Sequence, residues 1–295
     1  MHRVHTIGSS FTKWIYPTWA DYIQKHYDVE LHNLAYTAHS NSIMKKQLYT
    51  VDKSDHVFIM FGGHHRRVTG VDEEFIGNHI KNNEIKHAKT HLQNLLKLHT
   101  ACWFRTSHPV TAFVNSIYLS EFKTSKFQER YQMLEDIYDC QNYLQAKGIN
   151  YNISLSFGFY TDHSERRLWN THRKTIDDSK YMQNPIYSKV FNSIDHDKLS
   201  PSINKGYWEY LVDKSKVLEL FNSKIDLHPS TLCQFYFFKT YIKPILDQKL
   251  PNKNNIDHLY SQAKKFSEYY QTHLTVKREY TEQLRTKYFE IFEDL

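Results

Sequence analysis

Cysteine is scarce in this chain, and its three copies are scattered. Cys102, Cys140 and Cys233 are widely spaced and odd in number, which argues against a disulfide framework and against a cysteine-based zinc site. Buried free thiols are the expectation. Long apolar runs are also missing: no stretch approaches the ~20 residues that a membrane-spanning helix needs. The start, Met1-His2-Arg3-Val4, carries no apolar signal segment. A cytoplasmic protein, or one packaged from a cytoplasm into a virion, is therefore expected, with no membrane partner. Dense Lys/Arg blocks are absent as well. The net charge of +6 is mild and spread out, so no nucleic-acid partner is expected. There is no internal repeat and no low-complexity tract.

Aromatic and imidazole side chains are what the chain has in quantity. Aromatics make up 15% and charged residues 24%, with a mean hydropathy of -0.67, the profile of a soluble protein with a wet, aromatic-rich surface. Nineteen histidines make the charge climb as pH falls through the imidazole range. At 295 residues the chain has room for one large domain or two small ones and for a core able to fold alone.

The N-terminal stretch Val4-His5-Thr6-Ile7-Gly8-Ser9-Ser10-Phe11-Thr12 organises the rest. A short apolar run ends in glycine and two serines. From Pro17 a helical pattern follows, with Trp19, Tyr22, Ile23, His26 and Tyr27 at 3.6-residue spacing. Strand, tight turn, hydroxyl and helix together expose a side-chain oxygen at the carboxyl edge of a sheet, among free backbone N–H groups.

Further strands are expected at Val29–Ala35, at His56–Phe61 and at Ile149–Leu155. The continuous apolar run of His56–Phe61 suits a strand buried on both faces of a parallel sheet. Helices are expected at Asn83–His99, at Glu129–Ala146 with Gly148 as its stop, and at Pro229–Leu246. Helix, glycine, strand is the back half of a βαβ unit, and such units build an open sheet with helices on both faces. Residues 157–204 show no period and are taken as an irregular insertion. Leu250-Pro251-Asn252-Lys253-Asn254-Asn255 marks a linker, dividing a domain at 1–250 from a helical extension at 251–295. In that extension Ile256, Leu259, Tyr260, Ala263 and Phe266 make one seam, and Tyr280, Leu284, Tyr288 and Ile291 another. Residues 256–295 can pack back on the core or join two copies in a homo-oligomer.

Ser10 is the candidate nucleophile, and a serine hydroxyl needs a hydrogen-bonded base. The candidate base, His228, lies in Lys224-Ile225-Asp226-Leu227-His228-Pro229-Ser230, with Asp226 placed to orient it. Taken singly, Gly-Ser-Ser also reads as a turn capping a helix, and an Asp and a His near a helix start can each be satisfied locally. His64 and His65 with a third ligand would be a metal site, but adjacent residues rarely face one ion, and no metal is expected.

Together these blocks resemble the SGNH (GDSL-type) hydrolase family. Gly8-Ser9-Ser10 resembles its Gly-Asp-Ser block, with Ser9 where Asp is common. Asp226-Leu227-His228-Pro229 resembles its Asp-x-x-His-Pro block, one residue shorter. Gly-x-Ser-Phe-Thr and Pro17-Thr18-Trp19-Ala20-Asp21 are similar to a divergent branch found in phage and environmental genomes. The resemblance implies a three-layer α/β/α, flavodoxin-like, mostly parallel sheet and a serine esterase or acyl hydrolase acting on a carboxylic ester, an O-acetylated glycan among them, with no cofactor. It further implies a triad of Ser10, His228 and Asp226. The oxyanion hole would be made by Ser10, Ala38 (where the family has Gly) and His64 (where it has Asn). Asn41, His65 and Arg66 are weaker candidates for substrate contact. The second reading is a catalytically inactive module of the same fold that binds carbohydrate or protein. A virion-associated role is a third.

Overall fold

The computed structural model describes residues 2–36, 41–62, 126–159, 179–213, 228–273 and 281–295. Four strands, β1 (His2–Ile7), β2 (Val29–Asn33), β3 (His56–Phe61) and β4 (Tyr151–Leu155), form one parallel sheet in the order β2-β1-β3-β4. Val4 is flanked by Leu31 on one side and His56 on the other, and Ile59 pairs with Ile153. This is the flavodoxin-like order of a doubly wound sheet.

The strands are covered on both faces. Phe58 and Met60 of β3 join one buried cluster, while Val57, Ile59 and Phe61 join another. A strand buried on both sides has no polar face to display, which is why its sequence is an unbroken apolar run. Helix α1 (Trp19–His26) places Trp19, Ala20, Tyr22 and Ile23 in the first cluster. Helices α2 (Asn41–Leu48) and α3 (Lys126–Ala146) cover the other face with Met44, Leu48, Met133, Leu134, Ile137 and Leu144. The architecture is therefore three-layer α/β/α, as the pattern predicts. Thr18 and Asp21 form a reciprocal capping box at the start of α1. Gly148 ends α3 at φ 65, and the Ile149 N–H reaches back to the Leu144 carbonyl at 3.0 Å, the left-handed stop that glycine permits.

Residues 179–204, expected to be patternless, carry α4 (Ser179–Met182), α5 (Pro185–Ser193) and a 3-10 turn at His196–Lys198. Tyr181, Tyr187, Ile194, Leu199 and Ile203 are buried. The elements are too short for a 3.6-residue period to stand out from the sequence. The chain continues through α6 (Tyr207–Asp213), α7 (Thr231–Phe237), a π-helical turn at Phe238–Ile242 and α8 (Lys243–Leu246).

The C-terminal helices α9 (Ile256–His273) and α10 (Glu282–Asp294) lie on the α1 face. Leu259, Ala263, Phe266, Tyr270, Tyr288 and Phe292 are buried in the same cluster as Tyr16, Trp19 and Tyr22. Tyr260, assigned to the seam from sequence, is 36% exposed; Tyr270 takes the next inward position instead. Cys140 and Cys233 are buried free thiols. No helix among the described residues is long and apolar enough to cross a membrane. The expected helix at 83–99 and Cys102 lie outside the described residues.

Candidate active site at the switch point of the sheet

The strand order reverses between β1 and β3. In open α/β sheets the crevice at such a point, beyond the carboxyl ends of the strands, is where ligands bind. Ile7 ends β1 and Phe61 ends β3, so Gly8-Ser9-Ser10 and Gly62 flank that crevice.

The serine turn is held from several sides. The Ser9 carbonyl accepts from the N–H of Thr12 at 2.9 Å and of Lys13 at 3.0 Å. The Thr12 carbonyl lies 3.2 Å from Asn33 Nδ2 and 2.6 Å from the Thr18 hydroxyl. Asn33 Oδ1 in turn accepts from the Ala35 N–H at 3.1 Å, tying the end of β2 to the turn. Gly8 is required by close approach: a Cβ there would sit 2.0 Å from Thr12 Oγ1 and 2.7 Å from Thr12 Cβ. Gly8→Ala should therefore open the turn, with a loss of about 1–3 kcal/mol in denaturant melts, the usual range for overpacking. Adding Thr12→Ala removes the nearer clash and should restore part of that stability. A Gly8→Ala protein as stable as wild type would show that the turn is not this tight.

His228 is brought to the turn from the far end of the sequence. Its ring stacks on Trp14, with centroids 3.7 Å apart and planes 23° apart, and meets Phe11 edge-on at 6.0 Å. Three hydrogen bonds zip the flanking segments together. The Tyr16 hydroxyl donates to the Pro229 carbonyl at 3.3 Å, the Tyr22 hydroxyl to the Thr231 carbonyl at 3.2 Å, and the Trp19 N–H to Gln234 Oε1 at 3.2 Å. Ser230 caps α7 by accepting from the Cys233 N–H at 3.1 Å. The imidazole plane is thus fixed beside the residue that follows Ser10.

Ser10 itself is 7% exposed. Among the described residues its hydroxyl has no hydrogen-bond partner, so Ser10 and His228 are neighbours through Phe11 and Trp14. Burial pushes the Cys233 thiol up to about 12, which keeps it protonated and removes it as a rival nucleophile. Burial likewise raises the Tyr207 phenol well above its ordinary value, and its ring packs edge-on against Phe11 at 5.7 Å. Asn41 is buried, and its side-chain oxygen accepts from the Gly62 N–H at 2.9 Å. Its described contact is with the end of β3. Ala38, His64, His65, Arg66 and Asp226 lie outside the described residues. No group of three His, Cys, Asp or Glu side chains among the described residues is arranged to hold a metal ion.

Sequence reasoning proposed Ser10 and His228 for one site but did not point to the contacts of His228 with Phe11 and Trp14. Nothing in the sequence signals the roles of Trp14, Tyr16, Trp19, Tyr22 and Gln234, because these contacts join residues some 200 positions apart and no local spacing records such a pairing. The fold and this crevice define a doubly wound α/β protein with a serine turn at the switch point and a stacked histidine beside it. Compared with known proteins, the chain matches no family model and no curated protein. It is similar to the crystal structure of TesA at a TM-score of 0.40 and 11% identity, over 84% of this chain and 99% of that one.

Proposed function

We propose that the protein is an SGNH-type serine hydrolase acting on a carboxylic ester, with an O-acetylated glycan as one substrate class. The observation that carries this reading is the His228 ring stacked on Trp14 within the turn that presents Ser10. His228, from one block that resembles that family, lies against Trp14, just beyond the other such block, Gly8-Ser9-Ser10, which follows the carboxyl end of β1, where open α/β sheets bind ligands.

In this reading the Ser10 Oγ attacks the ester carbonyl carbon while His228 takes its proton. The tetrahedral oxyanion is held by the N–H groups of Ser10 and Ala38 and by the His64 side chain. Collapse breaks the bond to the alcohol, which leaves with the proton from His228. Water then attacks the acyl-serine, again giving its proton to His228, and the acid departs as Ser10 is regenerated. Asp226 orients the imidazole and stabilises its charged form. Removing one oxyanion donor typically lowers the rate by ~10²–10³. The Ser10–His228 hydrogen bond forms when substrate is bound; catalytic hydrogen bonds are often long in unliganded enzymes.

A fluorophosphonate probe tests this directly. Ser10 Oγ would displace fluoride and form a P–O bond, read by intact mass and peptide mapping. The adduct should map to Ser10, vanish in Ser10→Ala, and fall at least ~10²-fold in rate in His228→Ala. Wild-type protein shown to be folded yet unlabelled would exclude an activated serine and favour the second reading, a binding module that kept the fold. The observation on that side is that the Ser10 hydroxyl has no hydrogen-bond partner among the described residues.

A further inference from the structure

We infer that the C-terminal helices α9 and α10 are the brace that sets the two halves of this site against each other, with Arg285 as positioning residue for the serine turn. The inference rests on the serine-hydrolase reading for its catalytic consequence, but its geometry stands without it.

The turn side is held by α10. One Nη of Arg285 donates to the Trp14 carbonyl and the other to the Asp21 carboxylate. Trp14 is the residue whose ring carries His228. Asp21 continues the chain of contacts inward: its Oδ2 accepts from the Thr18 N–H at 2.8 Å and lies 2.9 Å from the Thr18 hydroxyl. That hydroxyl also lies 2.6 Å from the Thr12 carbonyl, so a continuous path runs from Arg285 into the turn behind Ser10. One helical turn earlier, Glu282 pairs with Lys13 at 3.1 Å.

The histidine side is held by α9. The Leu232 N–H, one of the first-turn donors that a helix leaves without an internal partner, donates to Ser267 Oγ at 2.9 Å. This anchors the start of α7 a few residues after His228. The two C-terminal helices are tied to each other. Gln262 Nε2 donates to the Phe292 carbonyl at 3.4 Å, and Lys265 Nζ to the Leu295 carbonyl at 2.8 Å. One helix pair thus grips Trp14 with one member and the His228 segment with the other.

Arg285 is suited to this by its fork. Two acceptors of different kinds, a carbonyl and a carboxylate, are met at once by a planar group with fixed donor directions, which lysine cannot reproduce. The side chains of Arg285 and Asp21 are 14% and 9% exposed, so water does little to replace either contact.

The test uses the full chain with 13C-labelled histidine, comparing wild type with Arg285→Lys and Arg285→Met. Stacking on Trp14 shifts the His228 ring protons upfield by ring current, and His228→Gln assigns them. In variants that still melt cooperatively, the His228 signals should move toward free histidine or broaden. Fluorophosphonate labelling of Ser10 should slow roughly tenfold or more in Arg285→Met, because small misplacements of reacting groups have large effects on rate. Arg285→Lys should fall between. His228 signals that coincide with wild type in a folded Arg285→Met or Arg285→Lys protein would overturn the inference, whatever the labelling. So would unfolding of Arg285→Lys, which would make Arg285 a stability residue only. If wild type fails to label but the His228 signals move in the variants, the hydrolase reading falls and the brace stands. If wild type labels and neither readout moves, the brace falls alone.

Discussion

Phe266→Ala is expected to lower the stability of this protein by about 3–5 kcal/mol, the usual range for deleting a buried phenylalanine. Phe266 is fully buried in the middle of α9. Its ring centroid lies 5.7 Å from that of Phe292, 5.8 Å from Tyr270, 6.2 Å from Tyr288 and 6.4 Å from Tyr16. It therefore touches both C-terminal helices and the segment that carries Trp14. Aromatic pairs at such distances add to the area they bury, and a rigid wall of rings closes poorly over a missing one. Domains of ordinary stability hold only about 5–15 kcal/mol in total, so the variant should sit near the edge of unfolding at moderate temperature. Urea unfolding at unchanged slope measures the loss. Tyr260→Ala is the comparison, since that ring is 36% exposed and its removal should cost about 1 kcal/mol. Equal losses for the two variants would mean that α9 is not docked through the face described.

Acid should destabilise the protein before its carboxylates are neutralised. His56 opens β3 and is buried, which depresses its pKa to about 3, with Lys249 and Lys198 adding in the same direction against a hydrogen bond to Asn152. His56 Nε2 lies 3.0 Å from Asn152 Oδ1, while its Nδ1 is buried with no hydrogen-bond partner among the described residues. A second proton would have nowhere to go. His5 of β1 stacks on His32 of β2 at 4.7 Å, where the register pairs the two residues. Burial first, then the charges of His32 and Arg3 against that of Glu30, bring its pKa down to about 4. An unfolded histidine takes up its proton near 6.5. Below that value the unfolded chain binds protons that the folded chain refuses, so stability present above pH 6.5 is lost as pH falls toward 4. The loss is on the order of 3 kcal/mol between pH 7 and 4, counting ~1.4 kcal/mol for each unit of depression and allowing for solvent around the rings. Urea unfolding at pH 7, 5.5 and 4.5 measures it, and His56→Gln should flatten the curve. Wild-type stability that is constant over that range would refute the assignment.

The sheet was legible because its signals are local. An unbroken apolar run announced β3, and the glycine at 148 marked the end of α3. The periodic aromatics from Trp19 to His26 announced α1. The two halves of the candidate site were proposed for a different reason: each sits in a short block that resembles a family block, Gly8-Ser9-Ser10 and Asp226-Leu227-His228-Pro229. What could not be read was their meeting. The stack of His228 on Trp14, the bond from Tyr16 to Pro229 and the fork of Arg285 on Trp14 and Asp21 all join residues more than 200 positions apart, and no period in the chain encodes such contacts. The short helices at 179–193 were hidden because one or two turns do not establish a repeat.

The same long-range stitching sets an order of events when the chain is made. β1 leaves the ribosome before the other described strands, yet it lies inside the sheet, between β2 and β3. The rings of Trp19 and Tyr22 are met by Phe58 of β3 and by Phe235, Phe237 and Phe238, and the rest of that face is closed by α9 and α10, whose residues are synthesised after every other described element. At about 5–20 residues per second, translation of this chain takes tens of seconds. Throughout that time Tyr16 lacks the rings of Phe266 and Tyr270 that will meet it, and Tyr22 lacks that of Phe292. The nascent chain therefore keeps part of this aromatic surface exposed until α9 and α10 emerge, which makes it a natural client for chaperones that hold such surfaces and a poor candidate for folding as it is made.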